Sequence, residues 1–125
     1  MSEASLLNQT VEALREAGAR FALIFGSRAR GDDRPDSDYD VAAWWDHDPP
    51  QAFDVLVPPR VDLVVVNTAP LELRGRIAVD GKVLFEDSPE DRVHWVATTR
   101  KIYFDELPRI ERAHRDFAQG VLDGR

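Results

Sequence analysis

The chain has 125 residues, of which 43% are hydrophobic and 31% are charged, with 16 lysine and arginine residues against 23 aspartate and glutamate residues. This composition is typical of a soluble globular domain with a buried core, and it excludes a disordered chain. The formal net charge of −7 argues against sequence-independent binding to nucleic acid, because such binding depends on many basic side chains.

Cysteine is absent from the sequence, so disulfide bonds and thiolate chemistry are excluded. No apolar run approaches the ~20 residues of a membrane span, and no signal-peptide core is visible. We therefore expect a single cytoplasmic domain over residues 1–125, with a C-terminal helical region at about 88–122 and no membrane association.

The first two predicted elements are a helix and a buried strand. Apolar residues recur at helical spacing between Ala4 and Ala17, and Gly18 provides a stop. The unbroken apolar run from Phe21 to Phe25 is typical of a strand that is buried on both faces.

A turn follows this strand. Gly26 allows the backbone to turn sharply, Ser27 is expected to be the N-cap of a short helix, and Gly31 is placed to end that helix. The start of a helix after a strand suits a phosphate, because its N–H groups are free and the helix dipole is positive there.

The second strand is expected to begin at Asp38 and to run towards Trp44. Side chains alternate along a strand, so Asp38 and Asp40 face the same way, roughly 6.8 Å apart at the backbone. Both carboxylates could then reach one pair of ions about 3.5–4 Å apart. Since Mg²⁺ takes carboxylate and substrate phosphate oxygens together, this spacing predicts a nucleotide site.

The third strand, Arg60 to Val66, is rich in β-branched residues, as a central strand should be. Asp62 interrupts its apolar character. Because a buried carboxylate without a partner is costly, we expect Asp62 to have one.

The remaining elements are a loop-rich connection, two helices and a short strand. Gln51 to Leu56 could form only a short helix before Pro58 and Pro59. The pattern then predicts a helix at Leu71–Val79, a strand at Lys82–Glu86, and a helical region with Ser88 as its N-cap that Pro108 should kink or split.

The stretch from Gly26 to Asp40 reads GSRARGDDRPDSDYD, which is Gly-Ser, ten residues, then Asp-x-Asp. It resembles the signature of the nucleotidyltransferase superfamily. The resemblance is closest to the minimal MNT-type proteins, the antitoxins of HEPN/MNT (HepT/MntA) toxin–antitoxin pairs. It implies an α/β fold in which a small mixed β-sheet is packed with helices, as in the polymerase-β-like nucleotidyltransferase core.

The resemblance also implies roles for individual residues. Asp38 and Asp40 would hold two Mg²⁺ ions, and Asp62 matches a third carboxylate on the neighbouring strand. At ~5 Å and an effective dielectric near 20, each pair of these carboxylates would repel by roughly 3 kcal/mol, so cations are expected in the site. The residues implied in nucleotide binding are Gly26, Ser27 and either or both of Arg28 and Arg30.

The implied reaction is the transfer of AMP from ATP to a tyrosine of a cognate HEPN-type toxin, which forms a hetero-oligomer with the antitoxin. Two alternatives stay open: a non-catalytic antitoxin that acts by occlusion, and a small-molecule adenylyltransferase of the aminoglycoside-modifying kind. Proteins of this family often carry a longer helix in the region of residues 45–60, so this connection is expected to be shorter here than in those proteins.

Other polar residues are weaker candidates. Lys82 could approach a phosphate, although a lysine beside a turn is usually only exposed. His47 lies in a loop and is expected to be solvated. Arg109 and His114 have the Arg-x(4)-His spacing of HEPN ribonucleases, but that active site belongs to a helical bundle, so we interpret them as part of a solvated helix face.

Overall fold

A computed structural model describes residues 2–124, so Met1 and Arg125, the ends of the predicted domain, lie outside the described residues. The main elements are α1 (Glu3–Glu16), β1 (Phe21–Phe25), α2 (Ser27–Arg30), β2 (Tyr39–Trp44), β3 (Val61–Val65), α3 (Leu71–Asp80), β4 (Lys82–Glu86) and α4 (Pro89–Leu122). Single 3₁₀ turns lie at Ala52–Asp54 and Val66–Thr68. This is the predicted mixed α/β architecture.

The four strands form one mixed sheet in the order β3-β2-β1-β4. The pairs β1–β2 and β1–β4 are antiparallel, whereas β2 and β3 are parallel. In this register Asp40 lies opposite Phe25 on one side and opposite Asp62 on the other. Two of the predicted carboxylates therefore lie side by side on neighbouring strands.

One face of the sheet packs against α1. Leu6 and Leu14 of this helix are buried together with Val41 of β2, and Ser2 caps the helix by accepting a hydrogen bond from the Ser5 amide. Gly18, at φ +95°, reverses the chain into β1. This face carries no carboxylate of the predicted site.

The other face, which carries Asp40, packs against α3 and α4. Phe21 and Ile77 are fully buried there, and the Phe21 ring stacks on Trp44 at 5.3 Å between centroids. A β-carbon on Gly75 would collide with the ring of Tyr103, so glycine is required where α3 and α4 approach each other. This packing fixes α3 beside the predicted site.

The position of β3 differs from the prediction. β3 is an edge strand rather than a central one, and Asp62 on it is exposed. An exposed carboxylate is hydrated, so the partner expected for a buried Asp62 is not needed. The β-branched composition reflects the buried inner face of this strand, which Val61 and Val65 supply.

The last helix also differs. Pro108 does not split it, and α4 runs unbroken from Pro89 to Leu122. Pro108 is exposed, so water can replace the backbone donor that its ring removes. Ser88 occupies the N-cap position, but its side chain makes no capping hydrogen bond. Within residues 2–124, no helix is both long enough and apolar enough to cross a membrane.

Candidate functional site

The turn between β1 and α2 depends on glycine. Gly26 has φ +72° and ψ −151°, a backbone region that is essentially restricted to glycine. It occupies the N-cap position of α2, so Ser27 begins the helix instead of capping it as predicted. Gly31 ends the helix as predicted, in the left-handed conformation at φ +81°.

The side chain of Ser27 is free at this turn. Its hydroxyl makes no hydrogen bond with any part of the chain between residues 2 and 124, and the residue is half-buried. A hydroxyl at the first position of a helix, beside amides without partners of their own, can donate to an anion. The turn is therefore suited to bind phosphate oxygens.

Asp40 lies directly against this turn. A β-carbon built on Gly26 would overlap with Oδ2 of Asp40, so any other residue here would have to displace that carboxylate. The turn that offers amide groups and the carboxylate that can hold a cation are thus in contact. Such an arrangement lets one bound group, a phosphate with its cation, interact with both.

The three predicted carboxylates share one end of the sheet. Asp38 comes just before β2, Asp40 lies on it, and Asp62 is the register partner of Asp40 on β3. Partial burial raises the pKa of Asp40, and the nearby charges of Asp62 and Asp38 raise it further, whereas Arg30 lowers it. The electrostatic influence of both neighbours on Asp40 indicates that the three groups form one acidic cluster.

The donor set fits a divalent cation that is shared with a bound phosphate. No group of three acidic or histidine side chains within residues 2–124 is arranged to hold a metal ion by itself. Carboxylates that repel one another are stabilised by a cation, and Mg²⁺ commonly takes only one or two protein carboxylates and completes its shell with phosphate oxygens and water. Asp38, Asp40 and Asp62 would supply the protein's share of these ligands.

Arg28, a predicted nucleotide-binding residue, is engaged elsewhere. Its guanidinium group donates to Oδ2 of Asp33 at 2.9 Å and to the carbonyl oxygen of Ser37 at 2.6 Å. It also lies 4.0 Å above the ring of Tyr39, whose side chain points away from Asp40 because the two residues alternate along β2. Arg28 therefore holds the acidic loop in place.

Arg60 reinforces this arrangement, a role that no pattern in the sequence indicates. It donates to the carbonyl oxygens of Pro35 and Ser37, at 3.0 and 2.8 Å. Arg28 and Arg60 thus converge on the carbonyl directly before Asp38. They also line a cavity of about 530 Å³ that lies between α1 and the Pro58–Pro59 segment, away from the carboxylates.

Arg30 lies near the acidic cluster formed by the three carboxylates, close enough for its charge to act on Asp40. Its side chain is half exposed and is only loosely paired with Asp32, at 3.4 Å, and its charge lowers the pKa of Asp40. Of the two arginines between which the sequence could not decide, Arg30 is the one that remains available to a phosphate.

The weaker candidates do not join the site. Lys82 is paired with Ile24 and thus lies in register with Val41, on the face opposite Asp40. The His47 side chain is 83% exposed beside Asp46. Arg109 binds Glu106 of its own helix, whereas His114 contacts Glu72 of α3, so the two do not form a shared site.

Comparison with known proteins places these features in a family. A family model described as polymerase beta, nucleotidyltransferase matches residues 8–90. None of the curated protein sequences matches the chain.

Several solved structures share the fold. A crystal structure of a toxin–antitoxin with AMP-PNP has a TM-score of 0.70 and 23% identity, over 90% of this chain and 98% of that one. The toxin–antitoxin MntA–HepT has a TM-score of 0.66 and 20% identity, over 94% and 99%. A tri-AMPylated Shewanella oneidensis HEPN toxin in complex with MNT antitoxin has a TM-score of 0.58 and 18% identity, over 90% and 99%.

The family model spans the Gly26 turn, all three carboxylates and every strand of the sheet, which is more than half of the chain. The protein belongs to the polymerase beta nucleotidyltransferase family.

Proposed function

We propose that this protein is an MNT-type antitoxin that transfers AMP from ATP to a tyrosine hydroxyl of a cognate HEPN ribonuclease toxin and thereby silences it. The observation that carries the proposal is the position of Asp40, which lies against the Gly26 turn and opposite Asp62. The likeness to antitoxins in toxin–antitoxin structures, one with AMP-PNP and one with a tri-AMPylated toxin, supports this reading.

In the proposed reaction, the amides at Gly26 and Ser27 and the Ser27 hydroxyl bind the terminal phosphates of ATP. Arg30 neutralises part of their charge. A bond forms between the acceptor oxygen and the α-phosphorus, the bond to the bridging oxygen of the leaving group breaks, and pyrophosphate departs. Asp38, Asp40 and Asp62, together with the nucleotide, would hold two Mg²⁺ ions, which would neutralise negative charge in this site.

Asp62 is placed to receive the acceptor's proton. It is exposed on an edge strand, so a side chain carried by another protein can approach it from outside the sheet. A carboxylate in hydrogen-bond reach of the acceptor hydroxyl acts as a general base. This open approach favours a protein acceptor over a small molecule, which needs an enclosing pocket.

The partner is proposed to dock on α4. This helix exposes large apolar side chains, among them Phe104, Phe117, Val121 and Leu122. Phe117 and Val121 lie one turn apart, and neighbouring exposed apolar side chains of this kind mark a protein interface. Docking there leaves the carboxylate cluster open to the partner's tyrosine. The expected assembly is a cytoplasmic hetero-oligomer without direct nucleic-acid contact.

The decisive experiment separates an enzyme from an occluding antitoxin. Changing Asp38 and Asp40 together to Asn removes two charges that the cations require but keeps side-chain volume. Toxin ribonuclease activity is measured after incubation with a tenth of an equivalent of each antitoxin variant, ATP and Mg²⁺, and added AMP is located by mass spectrometry. The matched control, Asp36→Asn with Asp48→Asn, removes two charges from exposed loop positions.

The wild type and the control should silence the toxin at this ratio and leave AMP on it, whereas the double Asn variant of the cluster should bind without silencing. Equal protection by all variants, or a need for a full equivalent of wild type, would establish occlusion instead. If labelled ATP modifies a small acceptor such as an aminoglycoside and not the toxin, the small-molecule alternative holds.

A further inference from the structure

A cavity of about 140 Å³ adjoins the Gly26 turn on the face of the sheet that carries Asp40. It lies between the end of β1, the helix α2 and one side of α3. Its walls combine apolar and charged groups: Phe25, Gly26, Arg30, Leu73, Arg76 and Asp80. Two of these six residues are arginines, one from each helix, so two guanidinium groups border the turn.

Of these two arginines, Arg76 is the one whose side chain has no partner within residues 2–124. The residue is exposed, and its side chain makes no hydrogen bond or ion pair with any residue in the range 2–124. Arg100 is different, since its Nε donates to the carbonyl oxygen of Ala78 at 2.7 Å. Arg74, two positions before Arg76, lines a separate cavity with Trp44 and Trp95.

The backbone of Arg76 is nevertheless held firmly. Its neighbours Ile77 and Ala78 are buried against the sheet, and Gly75 lies in close contact with Tyr103. A long cationic side chain with no side-chain partner, on a helix packed against the sheet, can present its charge at the mouth of the cavity. Arginine presents a planar fork of donors that matches phosphate oxygens.

We propose that Arg76 binds the β- and γ-phosphates of the nucleotide, opposite Arg30, and so makes the site selective for triphosphates over monophosphates. This inference rests on the proposed function, because it uses the same turn and the same nucleotide. Asp80, on the same wall, also borders the cavity, and its carboxylate opposes an anion there. The two arginines outweigh it by one positive charge.

The test is calorimetric and needs no toxin. The affinities of AMP-PNP and of AMP are measured with Mg²⁺ for the wild type, Arg76→Ala, Arg76→Lys and Arg112→Ala. The last variant removes the same charge from an exposed arginine of α4 that does not border the cavity. Arg76→Ala should weaken AMP-PNP binding about tenfold or more and should change AMP binding less than twofold, because AMP lacks the outer phosphates.

Arg76→Lys should restore part of the AMP-PNP affinity, since it keeps the charge but loses the fork. Asp80→Asn should tighten AMP-PNP binding. Equal AMP-PNP affinity in Arg76→Ala and the wild type, equal losses for AMP and AMP-PNP, or a loss in Asp80→Asn as large as that in Arg76→Ala would overturn the inference. A wild type that binds neither nucleotide would instead refute the proposed function.

Discussion

Gly26 touches the carboxylate of Asp40 so closely that a β-carbon at position 26 would overlap with Oδ2 of Asp40. The Gly26 turn and the central carboxylate are therefore packed directly against each other. A cation bound by Asp40 would lie close to the amides of the turn, and electrostatic preorganisation of this kind lowers the cost of reaching a charged transition state.

Gly26→Ala should abolish nucleotide binding and lower the free energy of unfolding by about 1–3 kcal/mol, because alanine is strained in this backbone region and its methyl group displaces Asp40. Gly31→Ala is the matched control. Position 31 is also left-handed, but a β-carbon there meets nothing within 4 Å, so this variant should lose about 1–2 kcal/mol and keep its nucleotide affinity. Urea unfolding and calorimetry measure both quantities; similar nucleotide affinities for the two variants would contradict the steric account.

Asp40→Asn should stabilise the protein at neutral pH without Mg²⁺. The folded protein raises the pKa of Asp40 through burial and through its acidic neighbours, so the ionised form lowers the free energy of unfolding. This penalty is absent below the ordinary pKa of 3.8 and grows as pH rises through the raised value. The melting temperature of the variant should therefore exceed that of the wild type at pH 7, and the difference should shrink towards zero on acidification.

Asp87→Asn is a control whose melting temperature should change in the opposite direction from that of Asp40→Asn. A hydrogen bond from Arg15 lowers the pKa of Asp87, so its ionised form favours folding, and that contribution is lost as pH falls through the lowered value. This variant should melt below the wild type at pH 7. If both variants shifted the melting temperature in the same direction, the assigned electrostatic causes would be wrong.

Replacing Arg28 should affect mainly the stability of the fold, whereas replacing Arg30 should affect mainly nucleotide binding. Arg28→Ala removes two charge-assisted hydrogen bonds from a side chain that is only 12% exposed, so we expect a loss of about 2 kcal/mol or more in the free energy of unfolding. Arg30→Ala should leave unfolding nearly unchanged, since its pair with Asp32 is exposed and loose. It should weaken AMP-PNP binding instead. The reverse pattern would assign the phosphate contact to Arg28.

The sequence predicted the elements whose signals are local. The Gly26 turn and the bounds of β4 follow from neighbouring residues, and the structure confirms them. β2 begins at Tyr39, one residue after the predicted start, so Asp38 lies just outside the strand. Sheet order is not local, so the edge position of β3 and the exposure of Asp62 could not be read from the composition of that strand.

The roles of individual arginines could not be predicted from the sequence either. Arg28 and Arg30 differ only in which side of a single helical turn they occupy, and Arg28 is fixed by contacts with Ser37 and Tyr39 that only the folded chain brings near. Arg74 and Arg76 point in nearly opposite directions, since each helical residue turns by about 100°. Nothing in the sequence indicates which of them faces the Gly26 turn.

The exposed end of α4 should carry partner binding but not nucleotide chemistry. Phe117 and Val121 lie one helical turn apart and are 76% and 61% exposed. Under the proposed function, replacing both with Glu should abolish complex formation with the HEPN toxin, because two charges would have to be buried in an apolar interface. AMP-PNP affinity should stay within twofold of the wild type, since these residues are not among those that line the cavity at Gly26.

Phe53→Glu is the matched control, since Phe53 is 81% exposed in the connection before β3, well separated in sequence from α4. Size-exclusion chromatography with purified toxin should show a complex for the wild type and for this control, and separate proteins for the double Glu variant. AMP transfer to the toxin should disappear only in the double Glu variant, although its nucleotide site is intact. If that variant still forms the complex while Phe53→Glu does not, the toxin docks on the connection between β2 and β3, and the assignment of α4 as the interface is wrong.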